Sequence, residues 1–200
     1  MKCKYCTRDA IYRCNVCGNL VCDAHVQLRT VCASCVKKNR CDYSVRENTK
    51  EDRNEIRRMV KLFWGEPEQL VFDKKYVVDE LPAFIAESTG RIVGFLSYAE
   101  LGADFLTVAL GVTPNYQGAG IGRRLVQAAE NKAETLSKKR MLVSTSNDDL
   151  PALAFYQSLG FQIFEVNPNI VAEKHGGVLP GIGGIPLRDE LRLQKIIHNG

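Results

Sequence analysis

Val112-Thr-Pro-Asn-Tyr-Gln117-Gly118-Ala119-Gly120-Ile121-Gly122-Arg123-Arg124 is the stretch on which the fold turns. An apolar run over 105–112 leads into it and an amphipathic pattern over 119–136 leads out, so it reads as the joint between a strand and a helix. Glycines let the backbone approach a ligand closely, and the first N–H groups of the following helix add their dipole. Together they form a cradle for phosphate. The Gly-Lys-Ser/Thr ending of a nucleoside-triphosphate loop is missing. Gly118, Gly120 and Gly122 follow the third strand of a domain that begins with a helix, and no acidic residue ends a next strand, which speaks against a dinucleotide site. The plain alternative is a tight turn with no ligand.

Outward from the loop, strands and helices alternate. Residues 42–47 read as extended. Thr49 and Asp52, spaced like a capping box, precede Ile56, Met59, Val60 and Phe63 at helical spacing, and Gly65 and Pro67 end that helix. The next stretch is less defined. Residues 81–87 and 91–99 are apolar runs split by Ser88-Thr89-Gly90, which reads as a hairpin. Beyond the helix over 119–136 come a strand over 141–146, a helix over 151–159 begun by proline, and a strand over 161–166. A Gly- and Pro-containing loop over 167–184 and a closing strand over 187–197 complete the order.

Gln117-Gly-Ala-Gly120-Ile-Gly122, after its Val-x-Pro-x-Tyr run, resembles the Q/R-x-x-G-x-G/A loop of the GNAT acyltransferases. Pro151-Ala-Leu-Ala-Phe-Tyr156-Gln-Ser-Leu-Gly160-Phe161 is similar to that family's helix with its Tyr-x-x-x-Gly-Phe ending. The resemblance covers residues 43–200, with its motifs within 110–161. It implies an α/β (α+β) fold, a mixed central sheet flanked by helices, that binds acetyl-CoA. Carried over position by position, it implies that the backbone of Leu110, Gly111 and Val112 bonds the pantetheine arm like an added strand. Gln117, Gly118, Ala119, Gly120, Ile121, Gly122 and Arg123 would hold the pyrophosphate, and Asn147 would reach the cofactor's amides. The Tyr156 hydroxyl would protonate the departing thiolate.

Two departures from the family stand out. Many members carry Asn seven residues before the tyrosine, where Asp149 stands here. Many also place a glutamate base on the strand entering the loop, and Leu106 holds that position. If Asp104, Leu106, Val108 and Leu110 share one face of an alternating strand, Asp104 is the nearest acid, with Glu100 and Asp189 as the other choices. Deprotonation through an ordered water chain is equally compatible.

A second pattern occupies the first 35 residues: Cys3/Cys6, Cys14/Cys17, Cys22/His25 and Cys32/Cys35, each pair separated by two residues. Two intervening residues let a tight turn aim both ligands at one metal, and Zn²⁺ takes four such ligands in a tetrahedron. Four pairs imply two closed structural Zn²⁺ sites with no position for a catalytic water. A segment of about 40 residues buries too little apolar surface to fold alone, so metal would supply its folding energy. The pairs either follow in order or interleave, with Cys3, Cys6, Cys22 and His25 on one ion and the other four on the second. Their order resembles B-box, HIT-type and AN1-type fingers, whose ligands cross over, and the short gap from Cys17 to Cys22 favours one compact core. Cys41 falls outside the scheme as a plain thiol at a domain junction.

The expected organisation is a zinc module over 1–40 and an acyl-CoA-binding domain over 43–200. Through Cys41 the chain carries eight Lys and Arg against two Asp, a net of +6 within a total of +4. Seven thiolates around two Zn²⁺ cut that excess to about +3, which still fits an acidic partner, either nucleic acid or an acidic protein surface. No apolar run approaches the roughly 20 residues that span a bilayer, and no signal peptide precedes Cys3. Reduced cysteines point to a reducing compartment, so a cytoplasmic location with no membrane contact is expected. Two function classes compete. One is an N-acetyltransferase that passes acetyl from acetyl-CoA to a primary amine of an unidentified acceptor, a protein or a small molecule, with the zinc module recruiting it. The other is a non-catalytic acyl-CoA-sensing regulator or zinc-finger interaction adaptor.

Overall fold

The computed structural model describes residues 1–10, 12, 13, 19–22 and 41–197. Near the start, β1 (Tyr12–Arg13) pairs antiparallel with β2 (Leu20–Val21). From residue 41 the chain builds a mixed sheet, beginning with β3 (Ser44–Glu47). Asp52 then organises the first helix. Its carboxylate accepts from the Thr49 N–H (2.7 Å) and hydroxyl (3.1 Å), closing the turn from which α1 (Arg53–Trp64) departs. This is one half of the capping box that the spacing predicts. The helix buries Ile56, Met59 and Val60 and stops at Gly65, whose φ of 81° glycine adopts without steric cost.

The stretch that sequence leaves undefined is a hairpin, β4 (Glu68–Val71) and β5 (Lys74–Val77), turning through Phe72 and Asp73. Both turn residues have positive φ (50° and 62°), an arrangement glycine would signal and Phe-Asp does not. The expected hairpin comes next as β6 (Ala83–Ser88) and β7 (Arg91–Leu101). After it stand β8 (Asp104–Val112), α2 (Ile121–Thr135), β9 (Arg140–Ser146), α3 (Leu150–Ser158) and β10 (Gln162–Asn167). The expected loop over 167–184 contains a short helix, α4 (Ile170–Lys174). A small hairpin of β11 (Leu179–Pro180) and β12 (Pro186–Leu187) leads to β13 (Glu190–Ile196).

The main sheet has the order β10-β13-β9-β8-β7-β6-β3, and only β8 and β9 run parallel. One face packs α2 and Tyr156 of α3 against Phe105, Met141, Val143 and Leu193. The other packs α1 and the β4–β5 hairpin against Phe95, Leu106, Val108 and Leu142. Both faces are thus covered, so the central strands read as apolar runs.

One irregularity shapes the middle of the sheet. Ser97 pairs with Ala109 and Tyr98 with Thr107, so β8 carries one extra residue, Val108, against β7. Such a bulge bends its strand and increases local twist. It also shifts the alternation, leaving Val108 and Ala109 on the α1 side while Leu110 packs with the α2 side. Beyond Leu106, β8 no longer pairs with β9.

Candidate active site

The parting of β8 from β9 opens a slot through the sheet, a cavity of about 270 Å³. Its walls are Thr107 to Leu110 on β8 and Val143 to Ser146 on β9. Tyr156 of α3 enters from one face; Asp73 and Glu190 line it from the hairpin side. The closed end is locked far from this opening: Asp104 accepts from Arg140 Nε at 2.8 Å and Nη2 at 3.0 Å, where the two strands still pair.

The open edge of β8 offers backbone groups. Thr113 donates to Val93 O on β7 (2.9 Å), so by alternation Gly111 also faces β7 while Leu110 and Val112 turn their N–H and C=O groups toward the slot. Val112 O accepts from Gln117 Nε2 at 3.1 Å, which ties the glycine loop to the strand end. Gly118 (φ 81°) and Gly120 (φ 86°) occupy the left-handed region, and Gly120 caps α2 with no side-chain bond to the free N–H groups. No acid lies in the first turn, which carries Arg123 and Arg124, so the helix N-terminus is a positively biased concavity. Gly122 has a different duty from its neighbours. A Cβ there would lie 3.3 Å from the Phe155 ring, so this glycine lets α2 pack on α3.

Tyr156 is 6% exposed, its ring edge-on to Phe155 and Phe161. No hydrogen bond joins its hydroxyl to a described residue. Burial, reinforced by the nearby Asp149 carboxylate, pushes the phenol well above its ordinary pKa, so it stays protonated and keeps a proton to donate. Asp149 caps α3, accepting from Ala152 N at 3.0 Å.

Four expectations meet a different geometry. Asn147 accepts from the N–H groups of Arg188 (3.0 Å) and Asp189 (2.9 Å) and donates to Pro186 O (2.8 Å), so its amide pins the segment before β13. Asp104 does not reach the slot, because it stands where β8 and β9 still pair and Arg140 holds its carboxylate. Glu100 pairs with Lys138 at 2.8 Å near the same closed end. Asp189 accepts from Asn169 N (2.9 Å) and Arg188 Nε (2.9 Å), and those donors hold its pKa below the usual carboxylate range. It fastens the turn into α4.

The acid that sequence reading misses is Glu190, one position along. It is 8% exposed and lines the slot. Arg192, on the same face two residues later, gives it a 2.8 Å hydrogen bond. A buried Glu-x-Arg alternation in a closing strand was the available signal.

Of the expected zinc ligands, Cys3, Cys6 and Cys22 are described. Cys14, Cys17, His25, Cys32 and Cys35 lie outside the described residues. The three sulfur atoms lie within 4.8 Å of one another, and Cys6 Sγ is 3.6 Å from Cys22 Sγ. Burial works against the Cys3 thiolate, but the N–H groups of Tyr5 and Cys22 and the thiols of Cys22 and Cys6 outweigh it and bring its pKa to about 6. Cys41 packs at the edge of the α2-side core and is not part of the Cys3, Cys6 and Cys22 group.

A slot between splayed parallel strands, a glycine cradle at a helix N-terminus and a protonated tyrosine between them define an acyl-CoA-dependent transferase. Residues 45–161 match the Acetyltransferase (GNAT) family, and the chain belongs to it. It is 36% identical over 140 residues to the uncharacterized protein YdhI of Bacillus subtilis, covering 67% of this chain and 86% of that one. Over 81 residues it is 40% identical to the N-alpha-acetyltransferase RimI of Mycobacterium tuberculosis, covering 38% of this chain and 49% of that one. Its fold is similar to that of a Bacillus subtilis acetyltransferase in complex with CoA, with a TM-score of 0.62, 21% identity and coverage of 78% and 98%. The protein is therefore a GNAT-type acyl-CoA-dependent N-acyltransferase with acetyl-CoA as cosubstrate. Among the described residues no helix is long and apolar enough to cross a membrane.

Proposed function

We propose that the slot performs direct transfer of acetyl from acetyl-CoA to a primary amine, with Tyr156 as the acid. What carries this reading is a buried tyrosine with an unengaged hydroxyl, lining a gap between β8 and β9 next to a phosphate cradle. The N–H groups of residues 118–123, with Arg123 beside them, hold the pyrophosphate. Leu110 N–H, Leu110 C=O and Val112 N–H take the pantetheine arm as an added strand. That places the thioester in the slot. An amine adds to its carbonyl carbon, and as the C–S bond breaks the Tyr156 hydroxyl protonates the sulfur. Asn147 has no part in holding the cofactor in this scheme. A panel of amines tested for thiol release from acetyl-CoA decides it: turnover with at least one class of primary amine is expected, and acetyl-CoA binding without turnover on any of them would leave a sensor instead.

For the N-terminal segment we propose two structural Zn²⁺ ions, one of them on Cys3, Cys6, Cys22 and His25. Sulfurs around one Zn²⁺ at bonds of about 2.3 Å stand about 3.8 Å apart, close to the 3.6 Å from Cys6 to Cys22. That Cys22 keeps company with Cys3 and Cys6 supports interleaving of the pairs. The metal folds residues 1–40 as a module separate from 43–200, and its basic excess suits an acidic acceptor or partner. Thiolates of this kind belong to a reducing, cytoplasmic setting. Elemental analysis should find about two zinc ions per chain. A single ion, or none, contradicts the assignment.

A further inference from the structure

An amine reaches an enzyme as an ammonium ion and must lose a proton before its nitrogen can attack. The proposed transfer supplies an acid but no base, and a role for any carboxylate as that base rests on the transfer itself. Asp104, Glu100 and Asp189 are committed to Arg140, Lys138 and the turn before α4. Glu190 is differently placed. It lines the slot from the side of the β4–β5 hairpin, across from the face that carries α3 and Tyr156.

Its two oxygens have unlike surroundings. Oε2 accepts from Arg192 Nε at 2.8 Å and from Asn167 Nδ2 at 3.3 Å, whereas Oε1 makes no hydrogen bond among the described residues. Arg192 is itself immobilised. Its side chain, 8% exposed, meets Asp73 at 2.8 Å and Glu165 at 3.3 Å and lies over the Phe72 ring at 4.7 Å. One anchored oxygen and one open one let a carboxylate keep its orientation while it exchanges a proton. The other ionisable groups at the slot are Asp73 on the hairpin turn, Asp149 at the start of α3, and Lys174 and His175 at the end of α4, with Lys174 drawn to Glu66 at 2.9 Å.

We propose that Glu190 is the carboxylate that seats the acceptor's ammonium group and takes its proton. Oε1 accepts one proton from R–NH₃⁺. The freed lone pair forms the C–N bond at the thioester carbon, and the carbonyl π pair moves to oxygen. When that pair returns, the C–S bond breaks with its electrons on sulfur, and Tyr156 delivers a proton there. The phenolate regains a proton from the attacking nitrogen, which keeps its third hydrogen as an amide. Glu190 then returns its proton to solvent.

The test uses n-butylamine as a minimal acceptor, with saturating acetyl-CoA and thiol release as the readout, on the full chain and on Glu190→Gln. The substitution keeps the shape and an oxygen for Arg192. Unchanged acetyl-CoA affinity with kcat/KM for butylamine lowered about a hundredfold at neutral pH is expected. The deficit should shrink as pH rises toward the ammonium pKa, about 10.4 as for lysine, because free amine then needs no base. If Glu190→Gln fails to bind acetyl-CoA, Glu190→Asp decides instead, since its shorter reach should lower kcat/KM for butylamine with acetyl-CoA affinity kept. Wild-type rates in the variant that binds cofactor, or a loss equal at every pH, overturn the role of Glu190 while leaving the transferase reading intact. No thiol release by the wild-type chain counts against the transferase reading itself, and against Glu190 with it.

Discussion

Tyr156 shows how one side chain can be prepared chiefly by burial. A phenol in water gives up its proton near pH 10, but here loss of solvent and the Asp149 charge disfavour the phenolate, so its donor form persists beyond that pH. Tyr156→Phe keeps the ring and its contacts with Phe155 and Phe161. It should bind acetyl-CoA as before and lower turnover by about a hundredfold. Equal turnover in the two proteins would remove Tyr156 as the acid. Asp52 is prepared in the opposite sense. Arg46 (2.7 and 3.0 Å) and the Thr49 N–H hold its carboxyl at about 2, below its unfolded value. The stability this contributes is present above about pH 4 and is lost as pH falls through about 2. Asp52→Asn should cost about 2 kcal/mol in denaturant unfolding at neutral pH and nothing comparable in strong acid. An equal cost at both would mean that charge is not the cause.

At the scale of elements, the glycine loop and the bulge of β8 share the work of making a site. Gly120→Val puts a branched side chain at a φ of 86°, where the cradle's backbone must turn, and should abolish acetyl-CoA binding by calorimetry with the fold retained. Unaltered affinity would defeat the phosphate assignment. Gly111→Ala fails for another reason: its Cβ would come 2.5 Å from the Phe63 ring, so α1 must shift, at about 1–3 kcal/mol of stability in denaturant unfolding. The loop, its strand and its helix were legible because glycine spacing and apolar periodicity are local signals. The bulge at Val108 was not. It exists only as a mismatch between two strands, which no local pattern in β8 signals. The Phe72-Asp73 turn and α4 escaped similarly, since each is held by partners distant in sequence, Arg192 and Asp189. Asn147 read as a cofactor ligand by its place after β9, yet three backbone groups of 186–189 take its amide.

Across the whole molecule, two covered faces make the sheet a rigid frame, and the gap between β8 and β9 is the one place among the described residues where it is parted along a shared edge. A transferase needs such a gap, since cofactor and acceptor must reach the same carbon from different sides. The cysteine pairs lie before this frame. Cys41→Ser should leave zinc content unchanged, because Cys41 packs with the frame's core, and a lost ion by elemental analysis would show the ligand set to be wrong. The fold was readable from residues 43–200 because its motifs are consecutive, whereas the acceptor side is assembled from Asp73, Glu190 and Arg192, which only the folded sheet brings together. The most direct measurement is a crystal structure with acetyl-CoA bound. The diphosphate should lie on the N–H groups of residues 118–123, the pantetheine arm along Leu110 to Val112, and the thioester sulfur about 3–3.5 Å from the Tyr156 hydroxyl. A cofactor seated outside the gap between β8 and β9, with its sulfur beyond reach of Tyr156, would contradict the account.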